Sequence, residues 1–223
     1  MNPQSKSFIP VASATLRLTL ALALCTVVAS AARASACPDR YDFASDVIDY
    51  YDPDPAKQLH IRGMERNHMN EDVRSLRRGQ STATASGDLR FMITTVPNHP
   101  DALSLFIRLA ARNRTEHLPE AGPYTVECWL HRAVTFSPND GTALMLYGTY
   151  LGRRGEVDAA IGALEKADSL RPDDMNIAYN LGLMYFDKKD YERSRQFAKK
   201  AYGAGFPLPG LKKKLEQARQ WAD

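Results

Sequence analysis

Metal-ligand spacing is missing from this chain. Its five histidines, His60, His68, His99, His117 and His131, stand apart from one another. His60 and His68 are eight residues apart, and none of the five sits beside a Cys or Glu at a zinc-binding spacing. A phosphate-cradling glycine loop is absent too, since Gly152 to Gly155 (GRRG) falls inside a turn. There is no serine elbow and no Cys–His dyad. The carboxylates of Glu165, Asp168, Asp173 and Asp174 fall where helix surfaces and turns are wet. These absences remove the common catalytic constellations, so no catalytic residue, metal or cofactor is expected.

A surplus of one charge is lacking as well. The formal charge of +3 includes Lys6, Arg17 and Arg33, and residues 1–36 hold no acid, so the rest of the chain balances to zero. The basic excess is therefore no sign of a nucleic-acid partner. Lys199-Lys200 and Lys212 to Lys214 lack interleaved aromatics and read as solvated faces.

Nor is there an apolar run suited to a stable membrane span. Leu18 to Val28 (LTLALALCTVV) is too short to cross a hydrocarbon core of about 30 Å. With Lys6 and Arg17 ahead of it and Ala34-Ser35-Ala36 behind, it has the layout of a secretory signal peptide over residues 1–36. Cleavage after Ala36 is preferred to the competing Ala29-Ser30-Ala31 site, because it leaves the longer spacing from the apolar core. The product is expected in the periplasm or outside the cell. Cys37 would then be the first mature residue. A lipoprotein site usually carries Leu where Ala34 stands, so soluble release is favoured over lipid anchoring at Cys37. Of the three cysteines, Cys25 leaves with the leader. Cys37 and Cys128 can pair in an oxidising compartment, or Cys128 can be a small buried residue of an amphipathic helix.

What is present is an internal repeat. Residues 139–172 and 173–206 align at an offset of 34. Tyr147-Gly148 falls over Leu181-Gly182, Leu151 over Tyr185, Ala160 over Ser194 and Ala167 over Ala201. Leu144, Tyr147 and Leu151 share one helix face. Gly148 and Gly182 sit mid-helix, where glycine costs about 1 kcal/mol relative to alanine, so close approach of a partner helix is expected there. Gly155 and Lys188-Lys189-Asp190 mark turns, and Pro172 stops a helix. Leu144-x2-Tyr147-Gly148-x2-Leu151…Ala160-x3-Leu164…Pro172, echoed by Leu181-Gly182-x2-Tyr185 and Ser194-x3-Ala198, resembles the tetratricopeptide repeat. Both copies lack its leading Trp, and the second has Ser for Ala and Ala for Phe.

The resemblance implies an all-α fold, a tetratricopeptide-like helical-hairpin solenoid. Residues 37–69 are expected to form an irregular N-terminal extension. In it Tyr41, Phe43, Tyr50 and Tyr51 alternate with Asp and pack back on the body, and Asp52-Pro53-Asp54-Pro55 breaks the chain. Repeats are expected over 70–206. Residues 70–100 form a degenerate hairpin, with helices from Asn70 to Arg78 and from Leu89 to Val96. Residues 101–138 form a divergent one, and 139–172 and 173–206 are the clear copies. Residues 207–223 supply a C-terminal capping helix over the last repeat's open face. On a wider span, GDL…PNHP, ECW-x2-RA and LPGL resemble a group of small exported bacterial repeat proteins; that group brings no function with it.

The resemblance further implies a concave surface built by the first helix of each pair. Met145, Thr149, Asn176, Tyr179, Leu183 and Phe186 are its candidate peptide-binding residues. The set is chiefly apolar and aromatic, against capture of a terminal carboxylate. Packing of Tyr179, Leu183 and Phe186 on the N-terminal segment or the end helix is the competing reading. The expected function is an exported scaffold in the bacterial cell envelope that binds a protein or peptide, or glues an envelope complex together. The alternative is an envelope hydrolase or metal-dependent enzyme whose site is assembled from scattered histidines and carboxylates.

Overall fold

The computed structural model describes residues 37–221 other than 39 and 45. The expected signal peptide and its cleavage site lie outside the described residues. Ten helices and no strand occur among the described residues: α1 (Pro55–His68), α2 (Glu71–Arg74), α3 (Ala85–Thr95), α4 (Pro100–Asn113), α5 (Val126–Phe136), α6 (Gly141–Arg153), α7 (Val157–Leu170), α8 (Met175–Asp187), α9 (Tyr191–Gly203) and α10 (Gly210–Gln217). None of them is long and apolar enough to cross a membrane. Helices α1/α3, α4/α5, α6/α7 and α8/α9 pair as hairpins, and α3, α5 and α7 each also touch the helix that opens the next pair. Helix α10 lies on α8 and α9. The fold is the all-α helical-hairpin solenoid that the repeat implied.

The first hairpin differs from expectation. Residues 55–68, assigned to an irregular extension, form α1. The Asp-Pro-Asp-Pro run starts this helix rather than breaking chain: the Asp54 carboxylate accepts from the Ala56 amide at 2.8 Å, and Pro55 occupies the first turn, where a missing N–H costs nothing. Helix α2 is shorter than Asn70–Arg78. Asn70 caps it through the Val73 amide, but Leu76 takes a left-handed conformation (φ 59°) that ends it. Helix α3 begins at Ala85, because Thr84 is its cap and accepts from the Gly87 amide at 3.2 Å. The partner of α3 in the first hairpin is therefore α1, and α2 belongs to the connection.

The two clear hairpins close on small residues. A Cβ on Gly148 would lie 2.7 Å from Leu164 Cγ and 3.1 Å from the Ala160 carbonyl oxygen. Glycine is required for that approach. At the same place in the next copy, a Cβ on Gly182 would run into Leu211 Cδ2 of α10. The repeat's own residue there is Ala198, the counterpart of Leu164 and too short to reach. The capping helix thus supplies the leucine that the second copy lacks. Leu211, Leu215 and Ala198 form one fully buried cluster. Ser194, where the first copy has Ala160, donates its hydroxyl to the Gly182 carbonyl at 2.8 Å, which satisfies a buried polar atom in the same seam.

This substitution of one leucine for another can be measured. Leu211→Ala is expected to cost about 2–4 kcal/mol as a cavity, and Ala198→Leu about 1–3 kcal/mol as overpacking. Combining them rebuilds the arrangement of the first copy, so chemical denaturation should show the double variant more stable than the sum of the singles by about 1 kcal/mol or more. Strict additivity would mean that the two side chains do not share one space.

Candidate interaction surfaces

The expected binding residues fall on two different surroundings. Met145 and Thr149 on α6 are half-buried, and Asn176 on α8 is exposed. Tyr179, Leu183 and Phe186 are half-buried at the α8–α10 side. Tyr179 stacks on Phe206 at 4.0 Å between ring centres, and a Cβ on Gly210 would lie 2.8 Å from its hydroxyl. Phe186 meets Tyr191 edge-on at 5.5 Å and carries the Lys214 ammonium 5.1 Å from its centre. These rings are held by α10 and the GFPLPG segment before it, and do not line an open trough. Asn176 and Tyr179 therefore share a helix but not an environment.

A second covered surface lies under the N-terminal segment. Cys37 is joined to Cys128 near the start of α5, with Cα atoms 5.1 Å apart. From there the segment follows α5. Tyr41 shares a 3.0 Å hydrogen bond with His131 Nδ1 and meets Tyr124 edge-on, and Phe43 packs on Phe136 at 5.2 Å. The Ile48 amide donates to the Thr95 carbonyl at 2.8 Å, and the Tyr50 amide donates to Asn98 Oδ1 at 2.9 Å. Asp49 accepts from Asn98 Nδ2 at 3.1 Å and from the Ser137 hydroxyl. Beneath the segment Arg132, only 4% exposed, donates to the Ile93 and Thr94 carbonyls at the end of α3 and stacks under Phe43 at 4.7 Å. A buried cation is tolerated there because those C-terminal carbonyls carry the negative end of the helix dipole. Burial still pushes the guanidinium below its ordinary value.

Two of the histidines, His99 and His68, are used as joints. His99 is 0% exposed. Its Nδ1 accepts from the Ala102 amide at 3.2 Å as the cap of α4, so Nε2 carries the proton and donates to Glu65 Oε1 at 3.1 Å. Burial is the larger influence and pushes His99 below its ordinary value of 6.5, with Glu65 opposing it. His68 donates from Nδ1 to Asp88 at 2.6 Å and stacks on Phe91 at 4.1 Å. Asp88 is fully buried. Burial would raise its pKa, but the Gln80, Ser81 and Thr82 amides and the His68 ring together hold it below the ordinary carboxylate value. Asp88 pins the loop before α3 at residues 80–82, and Glu120 holds its end by accepting from the Thr84 amide at 3.0 Å and the Thr84 hydroxyl at 2.7 Å. No group of three or more His, Cys, Asp or Glu able to hold a metal occurs among the described residues.

An open groove marks the first hairpin. It lies between α1 and α3, encloses about 480 Å³, and is lined by Leu59, His60, Gly63, Met64, His68 and Phe91 among others. Leu59 is 60% exposed and Phe91 42%. Among the described residues no helix pair precedes this hairpin.

The tetratricopeptide-repeat family model matches residues 176–204, from α8 through α9. The chain carries a tetratricopeptide repeat there. No curated protein matches the sequence. Among solved structures it is similar to a crystal structure of the MamA protein, at 19% identity over 62% of this chain and 68% of that one, with a TM-score of 0.41. A second crystal structure of MamA gives 20% identity over 61% and 70%, with a TM-score of 0.42. Similarity at that level shows neither shared function nor shared partners.

The tetratricopeptide repeat at α8/α9 thus has its first-helix aromatics under α10. Sequence spacing found those aromatics, but the residues that cover them, Phe206 and Leu211, lie past the repeat and share no period with it. Leu59 and Phe91 were not anticipated as a surface at all. They belong to different helices, and no spacing along the chain links them.

Two outcomes follow from these contacts. Tyr179→Ala and Phe186→Ala should each lower stability by about 1–3 kcal/mol and speed hydrogen exchange in α10, since each ring supports that helix. Unchanged melting and exchange in both would return them to the list of free binding residues. For His99, a folded pKa below the unfolded one means that its contribution is complete above pH 6.5 and is lost as pH falls through the folded value. Protonation would also turn the cap acceptor into a donor facing the Ala102 amide. His99→Asn keeps a capping acceptor and does not titrate, so its melting temperature should fall less than that of the parent between pH 7 and pH 5. Parallel pH curves would remove His99 from that role.

Proposed function

We propose that the chain is exported and works outside the cytoplasm as a soluble scaffold that binds a protein or peptide, without catalysis. The observation that carries this reading is the Cys37–Cys128 disulfide. It ties the residue expected to follow the leader to the body of a helical-repeat array. Disulfides persist in oxidising compartments, which fits export. The same bond occupies the Cys37 sulfur, so that atom is not available for the thioether of a lipid anchor; this supports soluble release. Stacked hairpins expose extended surfaces suited to protein partners. Non-catalytic action is supported by the use of His99 and His68 inside the fold, one as a helix cap and one as the partner of a buried carboxylate.

Expressed with its leader in a bacterium and recovered from the envelope, the protein should have an intact mass that starts at Cys37, lacks acyl chains and shows one disulfide. A retained leader or an acylated mass would overturn the localisation reading. Photo-crosslinking across the exported protein in living cells should give discrete protein adducts, and a protein that crosslinks to nothing would overturn the scaffold reading. Cys37→Ser is expected to lower stability by about 2–4 kcal/mol, because the bond closes a loop spanning 91 residues. Equal denaturation midpoints with and without reductant would show that the bond does not hold the segment.

A further inference from the structure

We propose that the C-terminal end of the array, built by α9, α10 and the FPLPG turn between them, docks reversibly on the surface of a lipid bilayer with anionic headgroups. The proposal adds a surface to the scaffold reading and rests on its export only for which side of a membrane is met. Three observations carry it.

The first is the distribution of charge. Residues 37–223 balance to zero, but not evenly. Residues 191–223 hold eight Lys or Arg against three Asp or Glu, and residues 37–190 hold eighteen against twenty-three. Some of the C-terminal cations are occupied: Arg195 pairs with Glu192, Lys200 with Asp168 and Lys214 with Asp187. Lys199, Lys212 and Lys213 have no carboxylate within ion-pair reach among the described residues. Glu216, one turn on from Lys212, offsets part of this charge. The remaining excess is drawn to anionic headgroups.

The second is what the fold sets beside those lysines. Along the chain Lys212 to Lys214 have no aromatic among them, but two are brought there in space. The Tyr202 hydroxyl donates to the Leu208 carbonyl at 3.1 Å and accepts from the Lys212 amide at 3.0 Å, so the turn and the start of α10 share one fastening. Trp221 meets Tyr202 edge-on at 6.3 Å, and the Lys212 ammonium lies 5.1 Å from the Trp221 ring centre. Arg195 donates to the Gln220 carbonyl at 2.9 Å, which ties the chain before Trp221 to α9. Lys199 lies between Arg195 and Tyr202 on the same face of α9. Tyr and Trp among lysines are the composition of a membrane interface.

The third is Leu208, which is 59% exposed and stands between Pro207 and Pro209. The two fixed proline φ angles hold the turn in shape before any contact, so docking costs little ordering. A projecting leucine offers nothing to the phosphates of a nucleic acid. A second copy docked through the same face would set lysine against lysine. Against a bilayer, the leucine enters the headgroup boundary while the lysines stay with the phosphates.

The test uses the exported chain with its disulfide intact. The probes are vesicles of phosphatidylcholine alone and of phosphatidylcholine mixed with phosphatidylglycerol. In co-sedimentation the charged vesicles should bind at least about tenfold more tightly than the neutral ones, and less tightly as salt rises. Trp129 is buried, so a blue shift of emission on binding belongs to Trp221 and should be absent in Trp221→Phe. Leu208→Asp, and Lys199→Glu with Lys213→Glu, change exposed side chains. Each should leave melting unchanged and weaken binding at least about tenfold. No binding to charged vesicles, equal binding to both kinds, or binding unaltered by these variants would each overturn the docking surface and leave the export and scaffold readings standing. At equal ionic strength, phosphate should displace the protein no better than chloride; better displacement would assign the lysines to a free anion. Tighter binding to single-stranded DNA than to charged vesicles would assign them to nucleic acid. Self-association removed by Lys199→Glu with Lys213→Glu would assign them to a second copy. Any of these three assignments would overturn the proposal.

Discussion

A pair of antiparallel helices has two apolar flanks and can bury neither without a neighbour. Everything in this molecule beyond the hairpins themselves answers to that constraint. In the middle of the array the answer is another hairpin, set close at Gly152, where a Cβ would run into Met184 of α8. At the C-terminal end it is α10, which places Leu211 over Gly182 where the repeat has only Ala198. On α5 it is an extended segment fixed by a disulfide, a buried arginine and three aromatic contacts. At the N-terminal end no helix covers the flank among the described residues.

The polar chemistry serves the same purpose. The short motifs that lie outside the two clear repeats each serve as a joint. Asp88 of GDL fastens the loop before α3. Asn98 and His99 of PNHP receive the N-terminal segment and start α4. In ECW-x2-RA, Cys128 takes the disulfide, Trp129 donates to the Ala121 carbonyl at 3.1 Å and Arg132 closes the end of α3. Gly210 of LPGL leaves room for the Tyr179 hydroxyl, and Leu211 fills the last seam. His99 and Asp88 are each engaged by the backbone amides they organise.

The parts of the fold that were legible in the sequence are those whose packing is local. Gly148 and Ala160 meet within one hairpin, so their spacing alone announces it, and the same spacing recurs at Gly182 and Ser194. Helix α1 was obscured because two prolines beside two aspartates signal an interruption more strongly than a start. The start signal was nevertheless present in Asp54 as cap and Pro55 in the first turn. The surfaces were less legible than the helices. Helical spacing put Tyr179, Leu183 and Phe186 on one side of α8, but what covers that side comes from Phe206 and α10. Likewise, the meeting of Leu59 and Phe91 depends on α3 choosing α1 as its partner.

The fastening of the N-terminal segment has a consequence for the order of assembly. Its seats are Thr95, Asn98, Cys128, His131 and Phe136, so it can dock only after α3, α4 and α5 exist as a surface. Helices α6 to α9 meet neighbours close along the chain and can form quickly, while the segment must close a loop as long as half a domain. Residues 37 to 50 are therefore the first part of the described chain to be made and the last to find their place. Until they do, Arg132 and the aromatic side of α5 stay wet, and the thiol of Cys128 stays open to any other cysteine within reach.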